Sequence, residues 1–285
     1  MKSVISAILA ICCAFPVWAE TTLWKVSKGD THVYLGGTIH LLAPEDLPFP
    51  KAFDQAFESS ETVVLETDMQ KLLDPQTQLM LMSQLSYQDG RLLNQQISRQ
   101  LYSELNQYLK DRQLMPNMFI GMKPAGVMLT MLAIEFQRLG ISESGADTYY
   151  YKQAVATGRK VAGLESIEQH MSFIAELGEG NEERFLRQTL DDMAKTETMM
   201  RSMVRYWKTG DVAGLEREVV NDMKVNYPRV YRSLLVERNE RWFPQIQSML
   251  KSPEIELVLV GAAHLIGPDG ILKMLRDQGY KIEQL

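Results

Sequence analysis

The sequence GTIHLLAPE at residues 37–45 has a near copy, GAAHLIGPD, at residues 261–269. Glycine, histidine, leucine, proline and an acidic residue stand at the same positions in both copies. Each copy follows a run of strand-forming residues, at 32–35 and at 257–260. The repeat therefore predicts two strands that each lead through a glycine and a turn to a histidine. We expect these two histidines, His40 and His264, to belong to one site.

The segments around the first copy predict the start of an α/β fold. In order, they predict strands at 23–26 and 32–36 joined by a turn at 28–30, a helix at 51–59, and a strand at 62–65 that leads to Glu66. A strand, a helix and a strand with short links form a right-handed crossover between parallel strands. Parallel pairing is therefore expected on this side of the sheet.

Most of the remaining chain has the apolar spacing of helices. The predicted helices are 75–85, 98–109, 124–139 and 147–157, followed by three or four more between 168 and 250. A strand at 161–164 ends at Glu165, and the chain continues after 250 with a strand at 256–260, a helix at 268–278 and an edge strand at 280–283. We predict one α/β domain over residues 20–285, with a mixed, mainly parallel sheet and a helical cap over approximately 70–250.

The first nineteen residues are typical of an export signal. Lys2 gives a short positive region, residues 4–15 form an apolar run, and residues 17–19 resemble a cleavage site. Both cysteines, Cys12 and Cys13, lie in this segment. The mature chain is therefore expected to lack disulfides, thiolate ligands and a cysteine nucleophile. We predict a periplasmic or secreted protein.

Charge and hydropathy exclude two classes of partner. The formal net charge is -6, which argues against binding to nucleic acid or to an anionic membrane surface. A membrane-spanning helix needs roughly 20 apolar residues. Beyond the export signal, the apolar run at 127–134 is too short, and Glu135 follows it directly. We therefore expect no stable membrane insertion after the signal is removed.

Ionisable side chains follow four of the predicted strands: His40, Glu66, Glu165 and His264. Ligands of open α/β sheets bind at the carboxyl ends of parallel strands, so these side chains are expected to share one edge. Two imidazoles and a carboxylate form a common site for a divalent metal with an open position. Such a metal lowers the pKa of water toward ~7, and a second carboxylate would accept the proton. The sequence leaves open which glutamate has which role.

These residues also match a known family. The paired Gly-x-x-His motifs, with Val64-Leu65-Glu66 between them, resemble the TraB/PrgY/GumN family, which includes the Tiki metalloproteases. The stretches GAD at 145–147, VAGLE at 161–165 and ERN at 237–239 strengthen the resemblance. It implies a metal-dependent hydrolase of peptide bonds in peptides or proteins, with manganese or cobalt in the active site; zinc remains open. It also implies a fold similar to erythromycin esterase and the haem-binding ChaN proteins.

The resemblance extends to individual residues. His40, Glu66 and His264 match the proposed active-site core of the family, in which they would hold the metal. Arg238 and Asn239 match its Glu-Arg-Asn stretch and would stabilise an oxyanion or hold a substrate carboxylate. Glycines at 37 and 261 are expected to leave room beside the metal or the substrate.

Plainer interpretations remain open for the charged residues. Glu165 would simply cap a helix that begins near Ser166, and Arg238 would lie on a solvated helix face. The histidines His32 and His170 are expected to be ordinary surface or packing residues. The seventeen methionines indicate adaptable apolar packing rather than a copper site.

Other functions are compatible with the same motifs. The two repeated histidines would then be structural, or would hold a ligand without turnover, as in a periplasmic binding protein for a signalling peptide or haem. Hydrolysis of a non-peptide ester or lactone is suggested only by likeness of fold, which is weak evidence.

Overall fold

Six strands form the central sheet of the protein. The structure, a computed structural model, describes residues 21–141 and 145–285, so the predicted signal peptide lies outside the described residues. The strands are β1 (Leu23–Lys28), β2 (Thr31–Thr38), β3 (Thr62–Thr67), β4 (Lys160–Glu165), β5 (Glu256–Gly261) and β6 (Lys281–Gln284). Their order across the sheet is β4-β3-β5-β2-β1-β6.

The direction of the strands confirms the predicted α/β fold with a mixed, mainly parallel sheet. Strands β4, β3, β5 and β2 pair in parallel, whereas β1 pairs antiparallel with both β2 and β6. The predicted first hairpin is present, and Gly29 in its turn has a φ of 65°, which a glycine adopts without strain. The carboxyl ends of the four parallel strands lie at one edge of the sheet.

Helices cover both faces of the central strands. Nearly every residue of β3 and β5 is buried, and because neighbouring residues of a strand face opposite sides, neither face is open to water. The helices are α1 (Lys51–Ser59), α2 (Met69–Leu72), α3 (Pro75–Gln84), α4 (Leu93–Gln96), α5 (Arg99–Asp111), α6 (Pro124–Arg138), α7 (Ala146–Ala156), α8 (Ile167–Ala175), α9 (Glu182–Met193), α10 (Thr196–Thr209), α11 (Val212–Leu215), α12 (Asn221–Asn226), α13 (Pro228–Tyr231), α14 (Glu237–Met249), α15 (Ala262–Leu265) and α16 (Ile271–Asp277).

The helices contribute to two hydrophobic cores. One core surrounds the sheet and includes Trp207 of α10 and Trp242 of α14, both fully buried. The other is built by helices between Leu85 and Met193. The indole of Trp207 donates a hydrogen bond of 2.6 Å to the carbonyl of Gly37, which ties a late helix to the end of β2. The division into one domain with a cap stays a prediction.

The helical region after β4 is more divided than its sequence predicts. Helix α9 ends at Met193 and α10 begins at Thr196, although Ala194 and Lys195 between them are good helix formers. Two π-helical segments, Glu216–Val220 and Arg232–Val236, lie within the later helices. In the part of the chain that the structure describes, no helix is long and apolar enough to cross a membrane.

Candidate functional site

The strand order places four predicted site residues along one edge of the sheet. Glu165 ends β4, Glu66 lies near the end of β3, and His264 and His40 follow β5 and β2. The Nε2 atom of His40 lies 3.8 Å from Oε1 of Glu66. The Nε2 atom of His264 lies 3.9 Å from the same oxygen. The two repeated motifs therefore meet at one carboxylate.

Gly261 makes this meeting possible. A Cβ atom at this position would lie 3.3 Å from Oε1 of Glu66 and 3.4 Å from Nε2 of His40. The backbone N–H of Gly261 also donates a hydrogen bond of 2.7 Å to that oxygen. The fold needs a glycine at position 37 for a different reason. A Cβ there would lie 3.0 Å from the Cα of Ala262. The first glycine allows close backbone packing, and the second leaves space within the site.

His264 is a buried, neutral ring held by Asn239. The Asn239 amide donates hydrogen bonds to the carbonyls of His264 (3.1 Å) and Asp269 (2.9 Å). Its oxygen must therefore face Nδ1 of His264, which donates to it over 2.7 Å. Burial lowers the pKa of His264 to about 3. The ring thus carries its proton on Nδ1 and keeps a lone pair on Nε2.

His40 has a carboxylate as its partner. Its Nδ1 lies 2.5 Å from Oδ2 of Asp147, and 55% of its side chain is exposed. The negative charge of Asp147 raises the pKa of His40 to about 9. Asp147 belongs to the GAD stretch, but the sequence assigned it no role. A carboxylate behind the imidazole is a common way to orient a metal-binding histidine.

Arg238 is buried behind Glu66 and joins the two glutamates. Its Nη2 donates to Oε2 of Glu66 (2.6 Å) and to Oε1 of Glu165 (2.7 Å). Its Nη1 lies 3.1 Å from Nε2 of His264, and the guanidinium stacks 4.5 Å from the ring centre of Trp242. Burial alone raises the pKa of Glu66, but Arg238 and the histidines hold that pKa well below its usual value.

Glu165 faces the site instead of capping the next helix. The Ser166 side chain caps α8 by accepting from the N–H of Gln169. Glu165 accepts bonds from Arg238 and, over 3.2 Å, from the indole of Trp242. Its Oε1 lies 2.8 Å from Nδ1 of His170. Because His170 lies in the first turn of α8, just after that cap, its ring reaches back to the strand end.

His170 was missed in the sequence because a single histidine at a helix start has no motif around it. In the structure, Glu66, Glu165 and His170 offer three ligand atoms within 4.8 Å of one another. His32 lies at the opposite end of β2, where its ring contacts Tyr34 edge-on. Of the two histidines expected to be ordinary, one therefore joins the site.

Two residue sets in this edge have the composition of a metal site. In the set of Glu66, Glu165 and His170, the guanidinium of Arg238 already contacts both carboxylates and lies 3.4 Å from the imidazole. The set of His40, Glu66 and His264 brings two Nε2 atoms near one oxygen of Glu66, although the ligand atoms of this set do not all lie within 4.8 Å of one another. Ligand atoms around a tetrahedral metal are roughly 3.4 Å apart, and the distances of 3.8 and 3.9 Å are close to this value.

The charges nearby also fit a divalent cation. Glu66, Glu165 and Asp147 carry three negative charges, and Arg238 offsets one of them. Once His40 has lost its proton, the two that remain equal the charge of one divalent ion. The charges of the residues present therefore fit one divalent ion at this edge of the sheet. A cavity of about 690 Å³ opens beside His40, Glu66, Asp147 and His170.

Comparisons relate the chain to known proteins. The model of the TraB/PrgY/gumN family matches residues 22–284. The chain is 22% identical to the uncharacterized protein YbaP of Escherichia coli (strain K12), over 87% of this chain and 89% of that protein. No solved structure matches the chain significantly, so the expected likeness to erythromycin esterase and ChaN stays a prediction.

Two more distant relatives have names that state an activity. The chain is 23% identical to metalloprotease TIKI2 of Xenopus tropicalis and 21% identical to metalloprotease TIKI1 of Homo sapiens. The matches cover 92% of this chain in both cases, but only 59% and 61% of the relatives. The chain thus spans about three fifths of the length of these two proteins.

Proposed function

We propose, from the premise that this chain belongs to the TraB/PrgY/gumN family, that it is a metal-dependent hydrolase of peptide bonds in peptides or proteins. The observation that carries the proposal is the approach of His40 and His264 to one oxygen of Glu66, at 3.8 and 3.9 Å. The activity named for the two distant metalloprotease relatives supports it.

His40, Glu66 and His264 would hold the metal, whose identity among manganese, cobalt and zinc stays open. A divalent cation there supplies Lewis acidity toward a peptide carbonyl and toward a water molecule. Glu66 offers Oε1 to this position, while Oε2 stays bound to Arg238. The two oxygens of one carboxylate therefore have separate tasks.

Arg238, Asn239 and Asp147 would act as positioning residues. Asn239 fixes the tautomer of His264, and Asp147 orients His40. Arg238 is buried and holds Glu66 and Glu165 in place, so we assign it this task rather than direct contact with an oxyanion or a substrate carboxylate. The predicted catalytic role of Asn239 likewise becomes control of a metal ligand.

Glu165 and His170 would handle the proton. The Nδ1 side of His170 faces Glu165, whereas its Nε2 makes no hydrogen bond to any residue that the structure describes, and the ring lines the cavity. A carboxylate behind an imidazole orients it to take a proton from water and return it to the leaving amine. Glu165 would thus contribute through His170, and Glu66 through the metal.

The first nineteen residues support a further part of the proposal. Their pattern of one lysine, an apolar run and small residues is that of an export signal. We therefore propose that the enzyme acts in the periplasm or outside the cell, on peptides or proteins present there.

Cleavage of a peptide library by the purified protein tests the proposed activity. Metal would be removed by chelation and restored with manganese, cobalt or zinc, and products would be identified by mass spectrometry. We expect cleavage that requires metal and is lost in His40→Ala. The matched control is His32→Ala, which removes a histidine from the far end of the same strand and should retain activity.

The same experiment separates the proposed enzyme from a binding protein. Peptides captured tightly without products, or a haem absorption band on titration, would favour the non-catalytic alternative. Metal-dependent cleavage that persists in His40→Ala would contradict the assigned site. Cleavage of esters but not of peptides would move the protein to another class of hydrolase.

A further inference from the structure

Lys152 lies in the wall of the cavity beside the site. The cavity is lined on the charged side by Glu66, Asp147, Lys152 and two histidines. Glu66 and Asp147 are each bonded within the site. The ammonium of Lys152 has no carboxylate within 4 Å among residues 21–141 and 145–285. It is therefore available to a negative group that enters the cavity.

Lys152 lies on the same helix as Asp147, the residue that contacts His40. Helix α7 begins at Ala146, and its first turn places Asp147 against His40. Thr148 and Lys152 are one turn apart and both line the cavity. At 1.5 Å per residue, Lys152 lies about 7.5 Å along the helix from Asp147. An extended peptide advances about 3.3 Å per residue, so this distance corresponds to about two residues.

Another part of the cavity lining is apolar. Met69 and Leu72 of α2, together with Leu73, line it after the end of β3. Leu73 is 49% exposed, so its side chain is accessible to a ligand in the cavity. Leu41, directly after His40, adds to the same lining. The cavity thus combines an apolar wall with one unpaired positive charge.

The net charge of the site favours a role for this cation in binding an acidic substrate. Glu66, Glu165 and Asp147 make the edge of the sheet negative, and a metal with Arg238 would only bring it to neutrality. An anionic peptide would then gain no attraction from the site itself. A cation at the mouth of a low-dielectric cleft supplies that attraction and sets the register of binding.

We propose that Lys152 binds a carboxylate of the substrate about two residues from the bond that is cleaved, while the apolar wall accepts a neighbouring side chain. This inference rests on the proposed function, because it specifies the substrate of the same site. The carboxylate comes either from an aspartate or glutamate side chain or from the free carboxyl terminus. In the second case the enzyme removes short fragments from the end of a peptide.

Matched peptides test the inference. One series carries glutamate, glutamine or lysine at each position within three residues of the cleaved bond. A second series compares a free carboxyl terminus with an amide. We expect wild type to prefer the carboxylate by about twofold to fivefold in kcat/KM, mostly through KM. A preference within the first series identifies a side-chain carboxylate, and one within the second identifies the terminal carboxylate.

Substitution of the lysine then shows whether it carries the preference. Lys152→Met should abolish the ratio between acidic and neutral peptides, and Lys152→Glu should reverse it in favour of lysine peptides. The matched control is Lys160→Met, which removes a lysine that pairs with Glu254 away from the cavity; its ratio should equal that of wild type. An unchanged ratio in Lys152→Met, or a wild-type preference for lysine peptides, would overturn the inference.

A binding assay separates this inference from the proposed function. Fluorescent peptides of both series would be titrated into Glu66→Gln and into Glu66→Gln/Lys152→Met, and anisotropy would give their Kd values. If wild type cleaves no peptide, the proposed function fails, but a Kd ratio that depends on Lys152 still supports the carboxylate site. Equal Kd ratios in both proteins would overturn the inference even if cleavage occurs.

Discussion

The two copies of the Gly-x-x-His motif bring the same side chain to the same carboxylate in opposite surroundings. His40 is largely exposed and is held by the carboxylate of Asp147. His264 is only 5% exposed in its side chain and is held by the amide of Asn239. The pKa of His40 is raised to about 9, and the pKa of His264 is lowered to about 3.

This difference shows that the repeat specifies position, whereas residues outside the repeat set the charge. At neutral pH the metal-free His264 is neutral, and its Nε2 accepts from Nη1 of Arg238 over 3.1 Å, so a metal bound there would replace this contact. His40 is protonated and must lose that proton before it binds a metal. We therefore expect the two histidines to respond differently to their partners and to pH, although both are ligands.

The largest effect is expected where the two motifs meet. Glu66→Gln removes the charge that both histidines approach and that Arg238 neutralises. We predict that kcat/KM for a cleaved peptide falls by roughly 10³ or more at saturating metal. Circular dichroism would establish that the variant is folded. Activity within tenfold of wild type would show that the motifs do not converge on a functional carboxylate.

The next largest effect is expected when the hydrogen-bond partner of either histidine is removed. Asn239→Ala removes the group that fixes the tautomer of His264, and Asp147→Asn removes the charge beside His40. Loss of such a partner typically weakens metal binding by about 10–100-fold. Isothermal titration calorimetry in two buffers measures both affinity and proton release. We expect only Asp147→Asn to reduce proton release; an equal reduction in Asn239→Ala would remove the contrast between the motifs.

The pH dependence of metal binding sharpens the same contrast. Because the pKa of His40 is about 9, metal affinity should rise with pH, by up to about tenfold per pH unit, and level off near pH 9. Asp147→Asn should move the pH at which the affinity levels off toward the ordinary histidine pKa of ~6.5. Because the pKa of His264 is about 3, its titration should not change the metal affinity above pH 4. Affinity that is constant between pH 7 and 9 in wild type would contradict the charged state of His40.

The two glycines of the repeat are expected to give the smallest effects. Gly261→Ala places a methyl group 3.3 and 3.4 Å from two proposed ligand atoms, so metal Kd should rise several-fold with little change in Tm. Gly37→Ala crowds the backbone of Ala262, and overpacking of roughly 1–3 kcal/mol should lower Tm by several degrees. Metal affinity should hardly change in the second variant. A lower Tm in Gly261→Ala together with weaker metal binding in Gly37→Ala would contradict the roles assigned to the two glycines.

The strands and the four ionisable residues at their ends were accessible from sequence because they lie in local patterns. The apolar runs before Glu66 and before Gly261 predict buried parallel strands, and such strands bring their ends to one edge. His40 and His264 stand out because their surroundings repeat. The sheet and the approach of both rings to Glu66 follow from these few signals.

The family resemblance named Arg238 and Asn239, but the pairing of the site residues was not accessible because no local pattern reports how charges pair. The start of α14 is rich in charge, which normally indicates a solvated face, yet Arg238 is buried between two carboxylates that come from distant strands. His170 and Asp147 reach the site only because α8 and α7 begin beside the strand ends. Hydrophobic spacing predicts which apolar residues are buried, but it does not identify a charged residue that is buried with a partner.

Metal content in His40→Ala and His170→Ala tests the central claim most directly. The two histidines line the same cavity, but only His40 belongs to the proposed ligand set of His40, Glu66 and His264. After loading with excess metal and desalting, elemental analysis would give the ions bound per chain. We predict one ion in wild type and in His170→Ala, and none in His40→Ala. One ion in His40→Ala and none in His170→Ala would place the metal between Glu66, Glu165 and His170 and contradict the assigned site.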